Sequence, residues 1–173
     1  LGKWFASGDH VARFEREFCK AIHTRHAVMV NSGSSANLVM IGALKTFFDW
    51  RAGDEVLVSV VGFPTTVAPI YQHGLKPVFV DIEWETLNFD LQQLTERISP
   101  RTRAVVLSPV LGNPPDMDRL REICREHSLE LILDGCDSLG SYWDGKELSE
   151  YTVASSCSFY PAHHYCNRKH HPL

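Results

Sequence analysis

The chain has five cysteines, at 19, 124, 136, 157 and 166, and no two of them form a CxxC pair. That spacing excludes a zinc ribbon and argues against a disulfide framework, so the thiols read as reduced and the protein as cytoplasmic. No apolar run approaches the roughly 20 residues that a membrane-spanning helix needs. Positive charge is also scarce: 17 Lys and Arg against 21 Asp and Glu give a net charge of −4, which offers no basic surface for nucleic acid. There is no internal repeat and no linker. The opening LGKWFASGDH is neither a signal peptide nor an initiator-Met terminus, so residues upstream are expected. What remains is an ordinary soluble composition, 173 residues with 44% hydrophobic and 22% charged, enough for one domain with a real core.

Short β-branched runs alternate with amphipathic stretches. Strands are expected at 26–32, 54–60, 76–82, 103–110, 129–134 and 152–160. Helices are expected at 13–22, 34–50, 64–74, 90–98 and 116–127, with Ser34 or Ser35 capping the second, and with Pro64 opening and Gly74 closing the third. Strands that are apolar on both faces and separated by helices imply an α/β fold, a mostly parallel sheet covered by helices on each side. Ligands of such sheets bind at the carboxyl ends of the strands. The junctions to search are NSGSSAN, VVGFPTT, SPVLGNPPD, DGCDSLG and SFYPAHH.

NSGSSAN follows one expected strand and opens a helix. Gly33 permits close backbone approach, and Ser34 and Ser35 add hydroxyls at the positive end of the helix, an arrangement suited to phosphate or to plain capping. A GK[ST] continuation and a GxGxxG fingerprint are both absent, which excludes the P-loop and the dinucleotide-binding turn. Asp134 ends an apolar strand and Asp137 follows in its loop; each could be a ligand, a base, the partner of a protonated heterocycle, or a turn cap. Phe63 could stack on a flat cofactor or belong to the core. SFYPAHH adds Ser158, Tyr160, His163 and His164, and histidine is the side chain suited to moving protons near neutral pH.

In order, these pieces form a phosphate cradle, a ring, a strand-end aspartate and a basic residue on a later strand. The chain thereby resembles pyridoxal-phosphate enzymes of the aspartate-aminotransferase fold, and within them the DegT/DnrJ/EryC1/StrS family. The resemblance rests on VNSGSSANL, GDEVLVSVVGFPTTVAPIYQHGLKPVFVDI, LGNPPDMD, DGCDSLGSYWDGK and SFYPAHH, and runs from about residue 10 to His164. It implies a fold-type-I large domain, partial, over 1–164, followed by an unrelated tail over 165–173 with neither period nor apolar content, expected to be disordered.

The resemblance further implies roles. Gly33, Ser34 and Ser158 would contact the cofactor phosphate. Phe63 would stack on the pyridine, and Asp134 would pair with its nitrogen, keeping the ring an electron sink. Asp137 stands where many relatives carry Gln or His near the ring hydroxyl. His163 takes the place of the Schiff-base lysine of the aminotransferases, and SFYPAHH resembles the branch that removes the C3 hydroxyl of nucleotide-linked 4-keto-6-deoxyhexoses, as in lipopolysaccharide biosynthesis. Pyridoxamine or pyridoxal 5′-phosphate would then be held noncovalently, with His163 as the base at the cofactor's C4′ carbon. Cys136 resembles the first ligand of a [2Fe–2S] cluster carried by one subgroup, which also needs a reductase partner; it is equally readable as a small buried residue.

After SFYPAHH the likeness stops at YCNRKHHPL, and Lys169 lies in that tail rather than at the Schiff-base position. Family members are homodimers that complete each site with partner residues. A sheet lacking its later strands leaves an open edge, so this chain alone is expected to be marginally stable and inactive. Three other readings stay open: a sugar aminotransferase of the same family, a noncatalytic remnant, and a metal-binding module using His163, His164, Cys166, His170 and His171, whose spacing matches no common zinc site.

Overall fold

The computed structural model describes residues 8–161 and His163. Among the described residues there are five α-helices: α1 (Asp9–Ala21), α2 (Gly33–Phe47), α3 (Pro64–Gln72), α4 (Leu91–Glu96) and α5 (Met117–Glu126). The strands are β1 (Glu55–Ser59), β2 (Lys76–Val80), β3 (Thr102–Leu107), β4 (Glu130–Asp134), β5 (Tyr142–Trp143), β6 (Lys146–Glu147) and β7 (Ala154–Ser156). Five of them form one sheet in the order β2-β1-β3-β4-β7, and every neighbouring pair is parallel. No described helix is long and apolar enough to cross a membrane.

The period of two along each strand divides the core. Val56 and Val58 of β1, Ala104 and Val106 of β3 and Ile132 of β4 face a layer built from Met40, Ile41 and Leu44 of α2 and Ile70 of α3. Leu57, Val105, Leu107, Leu131 and Leu133 face the other way, onto Leu94 of α4 and Met117, Leu120 and Ile123 of α5. Strands covered on both sides must be apolar on both sides, which is why these runs do not alternate. Local chemistry sets the helix starts. Ser32, Asp90 and Asp116 accept from the backbone N–H of Ser35, Gln93 and Arg119, satisfying donors that a helix start leaves free. Gly74 follows α3 at φ 71°, the left-handed conformation that glycine adopts without strain.

Three expectations need correction. The expected strand at 26–32 is not formed: the segment pairs with no described strand, Val28 and Met29 are exposed, and the Met29 N–H donates to Glu15 at 2.8 Å instead. An apolar run becomes a strand only where a partner ladder exists. The α2 cap is Ser32, because the helix begins at Gly33, and Ser34 and Ser35 lie inside its first turn. The last strand is only the three residues of β7, after which the chain leaves the ladder. A hairpin, β5–β6, went unforeseen although its turn is Asp144-Gly145, both at positive φ, the dipeptide that favours such turns. The expected tail at 165–173 lies outside the described residues.

The amino-terminal rim of the sheet is held by charge. Glu55 is buried, accepts from Ser99 Oγ at 2.5 Å and from Lys76 Nζ at 3.0 Å, and has Arg101 at 3.5 Å; next to it Asp54 takes Arg103 Nε at 3.0 Å. The Ser99 hydrogen bond, then that from Lys76, hold the Glu55 carboxyl below its ordinary value of 4.5. A lowered folded-state value means that Glu55 stabilises the fold above its unfolded value and loses that contribution as pH falls through the folded one. Glu55→Gln should therefore cost about 1–3 kcal/mol at pH 7, with the penalty shrinking as pH falls below the ordinary glutamate value of 4.5, as read from urea midpoints across pH.

Candidate active site

The candidate residues gather at the opposite rim, where the strands end. Asp134 is the last residue of β4 and is 4% exposed. Its Oδ2 accepts from Asn37 Nδ2 at 2.8 Å and from Thr66 Oγ1 at 2.6 Å. Its Oδ1 takes the Cys136 N–H at 3.3 Å, and Ser156 Oγ lies 3.4 Å away. Ser156 has one hydroxyl proton, and the nearer acceptor is Asn37 Oδ1 at 2.5 Å. Asn37 Nδ2 also lies 3.2 Å from the Thr65 carbonyl, so the amide is oriented by acceptors on its nitrogen side and a donor on its oxygen side. Asn37, Thr66 and Ser156 are all buried. α2, α3, β4 and β7 thus meet on one carboxylate.

Beside it is a close-packed turn. A Cβ placed on Gly33 would lie 2.8 Å from Cys136 Sγ and 2.9 Å from Ser158 Cβ, so only glycine fits there. Gly33 and Ser34 open α2, where backbone N–H groups lack intrahelical partners and the helix end is positive. Ser34 Oγ donates to Thr65 Oγ1 at 3.2 Å, and Ser158 Oγ accepts the Tyr160 N–H at 3.2 Å. Free amides, two hydroxyls and a helix of 15 residues make a donor set suited to a phosphate. The anion-binding turn and the buried carboxylate together fit the two ends of pyridoxal phosphate.

Phe63, the residue before α3, is 66% exposed and is not a core side chain. It shares a small cleft with Thr66 and Ser108, one turn from the Asp134 network. His163 Nδ1 lies 2.5 Å from Asp137 Oδ1, and the Tyr160 ring stands edge-on to the imidazole at 5.4 Å. With Nδ1–H held by the carboxylate, Nε2 is the nitrogen left to accept a proton.

The structure therefore brings together Gly33, Ser158, Cys136 and Asp134, links Ser34 to the same helix junction, and pairs Asp137 with His163. Burial, then the charge of Asp134, push up the Cys136 thiol, and burial raises Cys157 to about 11. Cluster ligation needs a thiolate, and among the described residues no three metal-ligating side chains converge. Cys136 by itself does not make an iron–sulfur site among the described residues. His164, Cys166, His170 and His171 lie outside the described residues. Asn37, Thr66 and Ser156 were missed by sequence reasoning. The available signal was Asn37, a lone amide inside the apolar helix ANLVMIGAL, since a buried amide needs partners.

A parallel α/β layer whose carboxyl rim carries a donor-rich helix start and a buried carboxylate has groups suited to a charged heterocyclic ligand. The chain belongs to the DegT/DnrJ/EryC1/StrS aminotransferase family, whose model matches residues 1–167. It is 44% identical, over 92% of its length, to the dTDP-4-dehydro-2,6-dideoxy-D-glucose 3-dehydratase of Saccharopolyspora spinosa, covering 35% of that protein. It is 38% identical to the GDP-4-keto-6-deoxy-D-mannose 3-dehydratase of Yersinia pseudotuberculosis, over 92% of this chain and 41% of that one. The E. coli GDP-4-keto-6-deoxy-D-mannose-3-dehydratase with bound hydrated PLP superposes with a TM-score of 0.77 at 38% identity, over 82% of this chain and 37% of that chain. The Helicobacter pylori aminotransferase PseC superposes at 0.82 with 28% identity, over 89% and 41%. The fold is thus that of PLP-dependent aminotransferase-fold proteins, and the chain spans about two fifths or less of the length of these relatives.

Gly33→Ala should lower stability by about 1–3 kcal/mol, because its two neighbours stand on separate loops and cannot both retreat. Gly62→Ala, with nothing within 4 Å of the new carbon, should stay within about 0.5 kcal/mol. Urea midpoints of the two variants test the contrast.

Proposed function

We propose that this chain supplies the cofactor-holding part of a pyridoxamine/pyridoxal-phosphate-dependent dehydratase that removes the C3 hydroxyl of a nucleotide-linked 4-keto-6-deoxyhexose. The observation that carries the reading is the His163–Asp137 pair, Nδ1 to Oδ1 at 2.5 Å, at the position where the family resemblance puts the Schiff-base lysine of the aminotransferases. Histidine forms no stable imine, so the cofactor would be retained by noncovalent contacts alone. The 3-dehydratases of S. spinosa and Y. pseudotuberculosis among the relatives support the same branch.

In this reading the Gly33 and Ser34 amides and the Ser158 hydroxyl bind the phosphate at the positive end of α2. Phe63 covers one face of the ring, and Asp134 holds a proton on the ring nitrogen. Asp137 orients His163 so that Nε2 takes a proton from the cofactor's C4′ carbon. When bound, the cofactor supplies an amino group for the 4-keto carbon and a ring that accepts electrons as the C3 hydroxyl leaves. Homodimerisation and, in a cluster-dependent subgroup with Cys136 as first ligand, a reductase partner belong to the same proposal. The aminotransferase alternative requires a lysine at 163.

In a longer protein that carries this segment, His163→Asn should lower turnover of a nucleotide-linked 4-keto-6-deoxyhexose by about 10²–10⁴-fold with little change in pyridoxal-phosphate affinity. Borohydride treatment followed by denaturation should free all pyridoxal phosphate from the unaltered chain and leave it attached to His163→Lys. Covalent retention by the unaltered chain would refute the reading.

A further inference from the structure

Resting on the cofactor reading above, we infer that Asn37, with Thr66 and Ser156, decides on which atom the proton between Asp134 and the cofactor's ring nitrogen resides. These three are positioning residues, since they act through the carboxylate.

The two oxygens of Asp134 are not equivalent. Oδ2 accepts two side-chain hydrogen bonds, at 2.8 and 2.6 Å. Oδ1 holds one long backbone contact at 3.3 Å, because the proton of Ser156 goes to Asn37. Oδ2 is therefore occupied by the protein, and Oδ1 is the oxygen with lone-pair capacity for an N–H⁺. Hydrogen bonds donated to a carboxylate stabilise its charged form, whereas burial favours the neutral acid. At a carboxylate 4% exposed these tendencies oppose each other directly. With both donors in place Asp134 stays ionised and the shared proton sits on the ring nitrogen. Without them the proton moves to Asp134, and the ring becomes a neutral pyridine with less capacity to accept electrons. Ser156 acts one bond further out: donating to Asn37 Oδ1, it fixes the amide so that Nδ2 faces the carboxylate.

The test uses the full chain loaded with pyridoxal 5′-phosphate carrying ¹⁵N in the ring, with the ¹⁵N chemical shift as readout and equilibrium dialysis for affinity. The unaltered chain should show the pyridinium shift and Asp134→Asn the neutral one. Asn37→Leu and the isosteric Thr66→Val should move the shift toward neutral pyridine and weaken binding by about 10-fold. Thr66→Ser, which keeps the hydroxyl, should restore both. If Asn37→Leu fails to fold, the Thr66 pair carries the decision alone. Binding by the unaltered chain with a pyridinium shift unmoved by Thr66→Val would overturn the inference and leave the cofactor reading standing. No uptake of pyridoxal phosphate by the unaltered chain would overturn that reading and the inference with it.

Discussion

A single buried carboxylate organises this protein's working rim. Asp134 ends the strand β4, and an uncompensated charge at its depth would cost several kcal/mol. The chain answers with a side-chain hydrogen bond from each of two helices and a backbone one from the loop that follows. Those bonds fix how α2 and α3 sit relative to β4, and the Ser156–Asn37 bond ties in β7. The geometry of the site is thus a by-product of satisfying one charge. The apolar layer beneath, with Ile41, Ile70 and Ile132, keeps the same elements in contact over a much larger area.

The donor-rich start of α2 depends on that arrangement. Gly33 touches side chains from the loops after β4 and β7, so the start of α2 is wedged between two strand ends. A helix end pinned in this way presents its free amides in a fixed direction, with no mobile loop left to order. Close approach and positive potential arise from the same residue choice, a glycine at the first helical position.

Much of this was legible in sequence, for identifiable reasons. Doubly apolar strands such as EVLVS and ELILD can only be central in a covered parallel sheet, and Asp90 and Asp116 mark helix starts that the structure keeps. Asp134 and Ser158 were singled out because ligands of such folds bind at strand ends, and the structure sets Ser158 against Gly33 although no described strand precedes that glycine. The segment 26–32 misled because composition reports burial potential, and pairing depends on a partner. Asn37, Thr66 and Ser156 escaped because their importance lies in one another: each is an unremarkable polar residue until the fold gathers the three around Asp134. Phe63 lost its alternative reading as core only when its exposure was known.

The length of β1 has a further consequence. Glu55 starts that strand and Ser59 ends it, so the ion cluster and the carboxylate rim lie about 13 Å apart. Asp54 and Glu55 are moreover surrounded by Lys76, Arg101 and Arg103, so little net field leaves the cluster. It is this self-neutralisation, more than distance, that separates the two rims electrostatically. Selection can retune acid tolerance at one rim without disturbing the proton equilibrium at the other.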